Sequence, residues 1–159
     1  NPAPAVAAMG QSGVLMHVLP GSARDVVAVL VHLEQILGLD PDPIRRLVAL
    51  GGERDFLRLS NAQQKAVDVR LADMSLTELA YRHGASAATD RYLIEQAGMT
   101  QPVNAARLDD FAAAAGQVFP LKAADLMPAL KGAALGKALK QAEEKWIASG
   151  FTLTKSDLL

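Results

Sequence analysis

Hydrophobic periodicity constrains this chain most: its apolar residues recur at three- and four-residue steps, and no segment alternates apolar and polar between turn signals. Val26, Leu30, Leu33 and Leu37 fall at i, i+4, i+7 and i+11, one stripe of a helix. Ser22, with Asp25 three residues on, predicts a capping box for this helix, and Gly38 its stop. In "LDPDPIRRLVAL", Asp42 is the expected cap of a second helix and Pro43 its first residue. Ser60 is expected to open a third, with Val67, Leu71 and Met74 continuing its apolar line. Further helices are expected near 75–83 and 86–97. In "VNAARLDDFAAAAGQVF", Leu108, Phe111, Ala112, Ala115 and Phe119 share a face. The last long helix is expected over about 133–149, ended by Gly150. The predicted fold is therefore all-α, a multi-helix orthogonal bundle with no β-sheet. The expected division is a helical body, residues 1–120, and a tail-helix region, 121–159, packed on it.

The lone tryptophan closes this pattern. Leu135, Leu139, Ala142 and Trp146 form an i, i+4, i+7, i+11 stripe, so Trp146 reads as a core anchor of the last helix, with a base-stacking platform as the alternative. Seven aromatic residues among 159 are too few and scattered for a serial stacking surface.

Several chemistries are unsupported. There is no cysteine, which removes a disulfide framework, a thiol nucleophile and any Cys-based metal site, and fits a cytoplasmic protein. No apolar run approaches the roughly 18–20 residues of a membrane span. The N-terminal "NPAPAVAAMGQSG" lacks the pattern of a secretory signal and an initiator Met, as expected for a piece cut from a longer chain. Asp40 and Asp42 have the spacing of a Mg²⁺-binding pair, but flanking prolines and the following helix favour capping. "GGERDF" resembles a phosphate-cradling turn, yet no strand precedes it, and a turn between helices accounts for it. His17, His32 and His83 form no ligand pair, and Ser12 lacks the spacing of a nucleophile elbow. The chain by itself is expected to hold no catalytic residue, metal or cofactor.

Charge is informative only locally, because 16 basic and 17 acidic residues nearly cancel. Between Leu121 and Lys140, four lysines (Lys122, Lys131, Lys137 and Lys140) face one acid, Asp125. Lys131 and Gly132 stand at an expected helix start, where free N–H groups and a partial positive charge suit a phosphate. Gly136 removes bulk one turn on, or marks close helix packing. Lys137 and Lys140 lie off the Leu135/Trp146 stripe and are expected to be exposed. A second basic stretch holds Arg45, Arg46, Arg54, Arg58, Lys65 and Arg70 against Glu53, Asp55 and Asp68. Arg45, Arg46, Arg58 and Lys65 are its candidate RNA contacts. Basic patches without aromatics suit a folded RNA recognised by backbone and shape; a solvated or ion-paired surface is the alternative.

The tail segments "FPLKAADLM" and "KGAALGKALKQAEEKWIASGF" resemble the C-terminal part of bacterial tRNA nucleotidyltransferases, the CCA-adding enzymes, a family that includes bacterial poly(A) polymerases. Asp125, Leu126, Gly132, Gly136, Leu139, Glu143 and Trp146 carry the likeness. "MGQSGVLMHVLPGS" and "LRLSNAQQK" resemble upstream family segments in the same order. Ala124 stands where the family pattern has Gly, and "GAALG" lacks the Pro that often follows the turn. The resemblance implies a tRNA-binding helical portion that grips the acceptor and T arms. The N-terminal catalytic head, with Mg²⁺, CTP and ATP, would belong to the rest of the parent. A poly(A) polymerase tail and a helical interaction domain without an RNA role are the alternative readings.

Overall fold

The structure is a computed structural model that describes every residue of the chain except Phe56 and Pro128. Eleven helices follow one another among the described residues: α1 (Ala3–Gln11), α2 (Val14–Val18), α3 (Arg24–Ile36), α4 (Pro43–Leu50), α5 (Asn61–Leu71), α6 (Leu76–His83), α7 (Ala85–Met99), α8 (Ala106–Ala115), α9 (Ala123–Leu126), α10 (Gly132–Ala148) and α11 (Lys155–Leu158). The described residues form no strand or sheet, only an isolated bridge between Ser22 and Gly51. The all-α bundle read from the periodicity is the fold.

Helix α7 is the spine of the body. Leu93 and Ala97, one turn apart, pack with Leu30 and Leu33 of α3 and Ala49 of α4. Ala88 and Tyr92, displaced around the same helix, pack with Leu79 and Ala80 of α6 and with Phe111 and Ala114 of α8. Leu30, Leu79 and Leu93 are fully buried, and each such side chain contributes about 1.5–3 kcal/mol of transfer free energy. Polar details fix the loops around this core. The Tyr92 hydroxyl accepts the Asn104 N–H at 2.8 Å, which ties the loop before α8 to the spine.

The caps follow the sequence with one exception. Asp42 Oδ1 accepts the Arg45 N–H at 2.7 Å, so "LDPDP" is a helix start. Ser60 and Gln63 form a reciprocal capping box on α5. Ser22 does not cap α3; the cap position is Ala23 and no side chain bonds there. Tertiary pairing overrides the local signal, because the Ala23 N–H goes to the Leu50 carbonyl at 2.7 Å and the Glu53 N–H to the Pro20 carbonyl at 2.8 Å. This docking also explains Gly52: its φ is +83°, and a Cβ there would sit 2.7 Å from the Pro20 oxygen. The "GGERDF" stretch is thus a turn between α4 and α5; its final Phe56 lies outside the described residues.

Two apolar assignments are corrected. Leu71 is 49% exposed, because α5 ends there and Ala72 leaves helical geometry. Helix α8 turns Phe111 and Ala114 inward and leaves Ala112 exposed, and it ends at Ala115, so Phe119 lies beyond it. Phe119 instead packs against Trp146, with ring centroids 5.5 Å apart.

Candidate nucleic-acid interface

Helix α10 owes its place to Trp146. The indole is 3% exposed, and it meets Phe151 at 4.8 Å, Phe119 at 5.5 Å and Tyr81 of α6 at 5.6 Å between ring centroids. Such offset and edge-on aromatic contacts add to the area they bury. Ser149 and Gly150 let the chain reverse, and the Phe151 N–H returns to the Trp146 carbonyl at 3.0 Å. One turn before the indole, Glu143 accepts the Tyr81 hydroxyl at 2.9 Å and an Arg82 N–H at 3.1 Å. Burial raises the Tyr81 pKa above the usual phenol value, and the bond to Glu143 raises it further. The tryptophan is a core anchor, as its spacing predicts, and is not open to a base.

The opposite side of α10 is polar. Lys131, Gly132, Gly136, Lys137 and Lys140 are all exposed. Lys131 occupies the N-cap of α10 without a side-chain cap bond. A Cβ at Gly132 or Gly136 would meet nothing within 4 Å, so the small-residue spacing does not mark packing against another described helix. Lys140 approaches Glu144 at 3.9 Å, a contact between exposed side chains that is weak in water. Lys122 is exposed before α9, and its backbone N–H donates to Asp125 at 2.8 Å. Asp125 also accepts Lys155 Nζ at 2.6 Å, which joins α9 to α11. The local acid is thereby occupied, leaving Lys131, Lys137 and Lys140 as the basic face.

The second basic stretch divides. Arg45 is 5% exposed and cannot reach a nucleic-acid phosphate. It donates to Glu34 at 2.8 Å, to Asp90 at 2.7 Å and to the Asp40 carbonyl at 2.6 Å. Burial would lower its pKa, but the bonds to Asp90 and Glu34 outweigh that and raise it, holding the guanidinium charged. Arg46 is turned toward the same acid, with Nη2 2.6 Å from Glu34. Arg70 Nε donates to Asp90 at 2.8 Å. Arg45 is therefore part of an internal network rather than a free basic surface, and Arg46, 21% exposed, joins that network from its rim. Arg58 and Lys65 remain exposed.

The network's acids, Glu34 and Asp90, were legible only in part. Glu34 stands four residues after Leu30, on the buried side of α3, where a carboxylate signals a buried partner. No local signal pairs Asp90 with arginines on two other helices. Among the described residues, no three His, Asp or Glu side chains gather to hold a metal ion. No helix is long and apolar enough to cross a membrane. No protein-family model, curated protein or solved structure matches this chain.

Proposed function

We propose that this chain is the tRNA-gripping helical portion of a tRNA nucleotidyltransferase whose catalytic head adds CCA to tRNA 3′ ends from CTP and ATP. One observation carries the reading: the tail segments that resemble this family form a helix held by Trp146 on one side and presenting Lys131, Lys137 and Lys140 on the other. The family pattern's residues divide accordingly. Trp146 and Glu143 fix the helix to the body, while Gly132 and Gly136 keep its first turns open. Fixed cations on a rigid helix suit backbone recognition of a folded RNA, which needs no stacking aromatics.

The Mg²⁺ that such a parent uses does not fit the residues described here, because Asp42 is spent on a helix cap and no carboxylate cluster exists among them. The ion belongs with the head, and no chemical step is assigned to this chain.

The test is an anisotropy titration with labelled tRNA at two salt concentrations, beside an unstructured RNA of equal length. The expected result is tighter binding to tRNA that weakens steeply with salt, through counterion release. Equal affinity for both RNAs would point to a poly(A) polymerase tail. Salt-resistant capture of a protein with no RNA affinity would replace the reading with an interaction domain.

A further inference from the structure

Away from α10, a cavity of about 300 Å³ opens between α5 and the junction of α6 and α7, several times the share of liquid volume taken by one water, roughly 30 Å³. Lys65 and Arg70 line it from α5, His83 from the end of α6, and Ser86 from the first turn of α7, with only alanines and Val69 between them. No carboxylate lines it. The acid nearest in the network, Asp90, already receives both Arg45 and Arg70.

The charge balance behind the cavity is unusual. Three guanidinium groups, of Arg45, Arg46 and Arg70, face two carboxylates, Glu34 and Asp90, and all five side chains are at most 21% exposed. The network as a whole therefore holds a formal excess of one positive charge in a partly desolvated place, and Arg70, paired with Asp90 and 11% exposed, is the member that also lines the cavity. Lys65 adds an exposed cation to the lining, and the exposed His83 imidazole adds a group that can hydrogen-bond. The α7 helix adds to this field: Gly84 at its N-cap provides no side-chain cap, so the positive end of the helix is not met by a side-chain acceptor there.

We propose that this cavity is a phosphate-binding site, with Lys65 and His83 contacting the anion, Ser86 donating a hydrogen bond, and Arg70 supplying fixed positive charge from the wall. The phosphate comes either from a nucleic-acid backbone or from a small phosphorylated molecule. The site goes beyond the α10 reading and does not depend on it.

The experiment follows backbone amide resonances of the full chain while inorganic phosphate is added. Saturable shifts at Ser86 and Ala87 are expected. Lys65→Gln is expected to weaken the affinity about tenfold, the scale of one charged hydrogen bond. Ser86→Asp, which puts a carboxylate over the helix start, is expected to abolish binding and to raise the melting temperature. Lys137→Glu with Lys140→Glu is expected to leave these shifts unchanged, which separates this site from α10. Shifts that never saturate, or affinity unchanged in both Lys65→Gln and Ser86→Asp, would overturn the assignment. A short single-stranded RNA added to the phosphate-saturated protein then identifies the source. Displacement assigns the site to backbone phosphate, and retention assigns it to a small phosphorylated ligand.

Discussion

Arg45 and Asp90 lie 45 positions apart in the chain, yet their side chains meet at 2.7 Å with both almost wholly buried. This pair links α4 to the α7 spine, and Glu34 and Arg70 extend it to α3 and α5. Asp90→Ala removes one acid from between two guanidiniums and leaves both under-compensated. The expected loss is about 3–5 kcal/mol, the range for breaking a buried ion pair by deleting one partner. Urea denaturation checks it, and a loss below about 1 kcal/mol would mean that water or rearrangement replaces the carboxylate.

Trp146→Ala is expected to cost about 3–5 kcal/mol if the tail unfolds with the body, since the indole fills the contact among Phe119, Phe151 and Tyr81. Trp146→Phe keeps part of that contact and is expected to cost less. Thermal melts of both variants give the ranking; equal melting temperatures would contradict the anchor role.

The lysine face of α10 is tested by charge reversal. Lys137→Glu with Lys140→Glu is expected to weaken tRNA binding and to lower the slope of log affinity against log salt by about two, one per lost phosphate contact. Both residues are exposed on α10, so stability is expected to stay within about 0.5 kcal/mol. Unchanged affinity in a folded double variant would remove this face from the interface.

The C-terminal elements are expected to loosen in acid. Lys155 holds the Asp125 carboxylate below its ordinary value of 3.8, helped by the Lys122 backbone N–H. A carboxylate so depressed stabilises the fold fully above about pH 4, and that contribution disappears as the pH falls through the lower, folded-state value. Lys155→Met removes the principal cause, so the Asp125 midpoint is expected to rise toward 3.8, read from its carboxyl resonance. A midpoint unmoved by the substitution would assign the shift to the backbone bond alone.

The sequence by itself determined helices α3 to α8 and α10, the caps at Asp42 and Ser60, the buried place of Trp146 and the exposed lysines of α10, whereas the short helices α1, α2, α9 and α11 carry too few periodic residues to be read from it. All of these are set within one helix or one turn, by periodicity and by backbone groups that need a local partner. Tertiary structure alone decided the rest. Ser22 reads as a cap, but the neighbouring Ala23 N–H pairs with Leu50 at the end of α4, a bond made between residues distant in the chain. Arg45 and Lys65 belong to one basic stretch in sequence, yet one is buried against Asp90 while the other stands beside His83 at a cavity mouth. Charge composition counts such residues alike. Only the packing of α3, α4, α5 and α7 determines which cations acquire a carboxylate and which remain open to an anion, because a Coulomb interaction depends on the distance and desolvation that the fold creates.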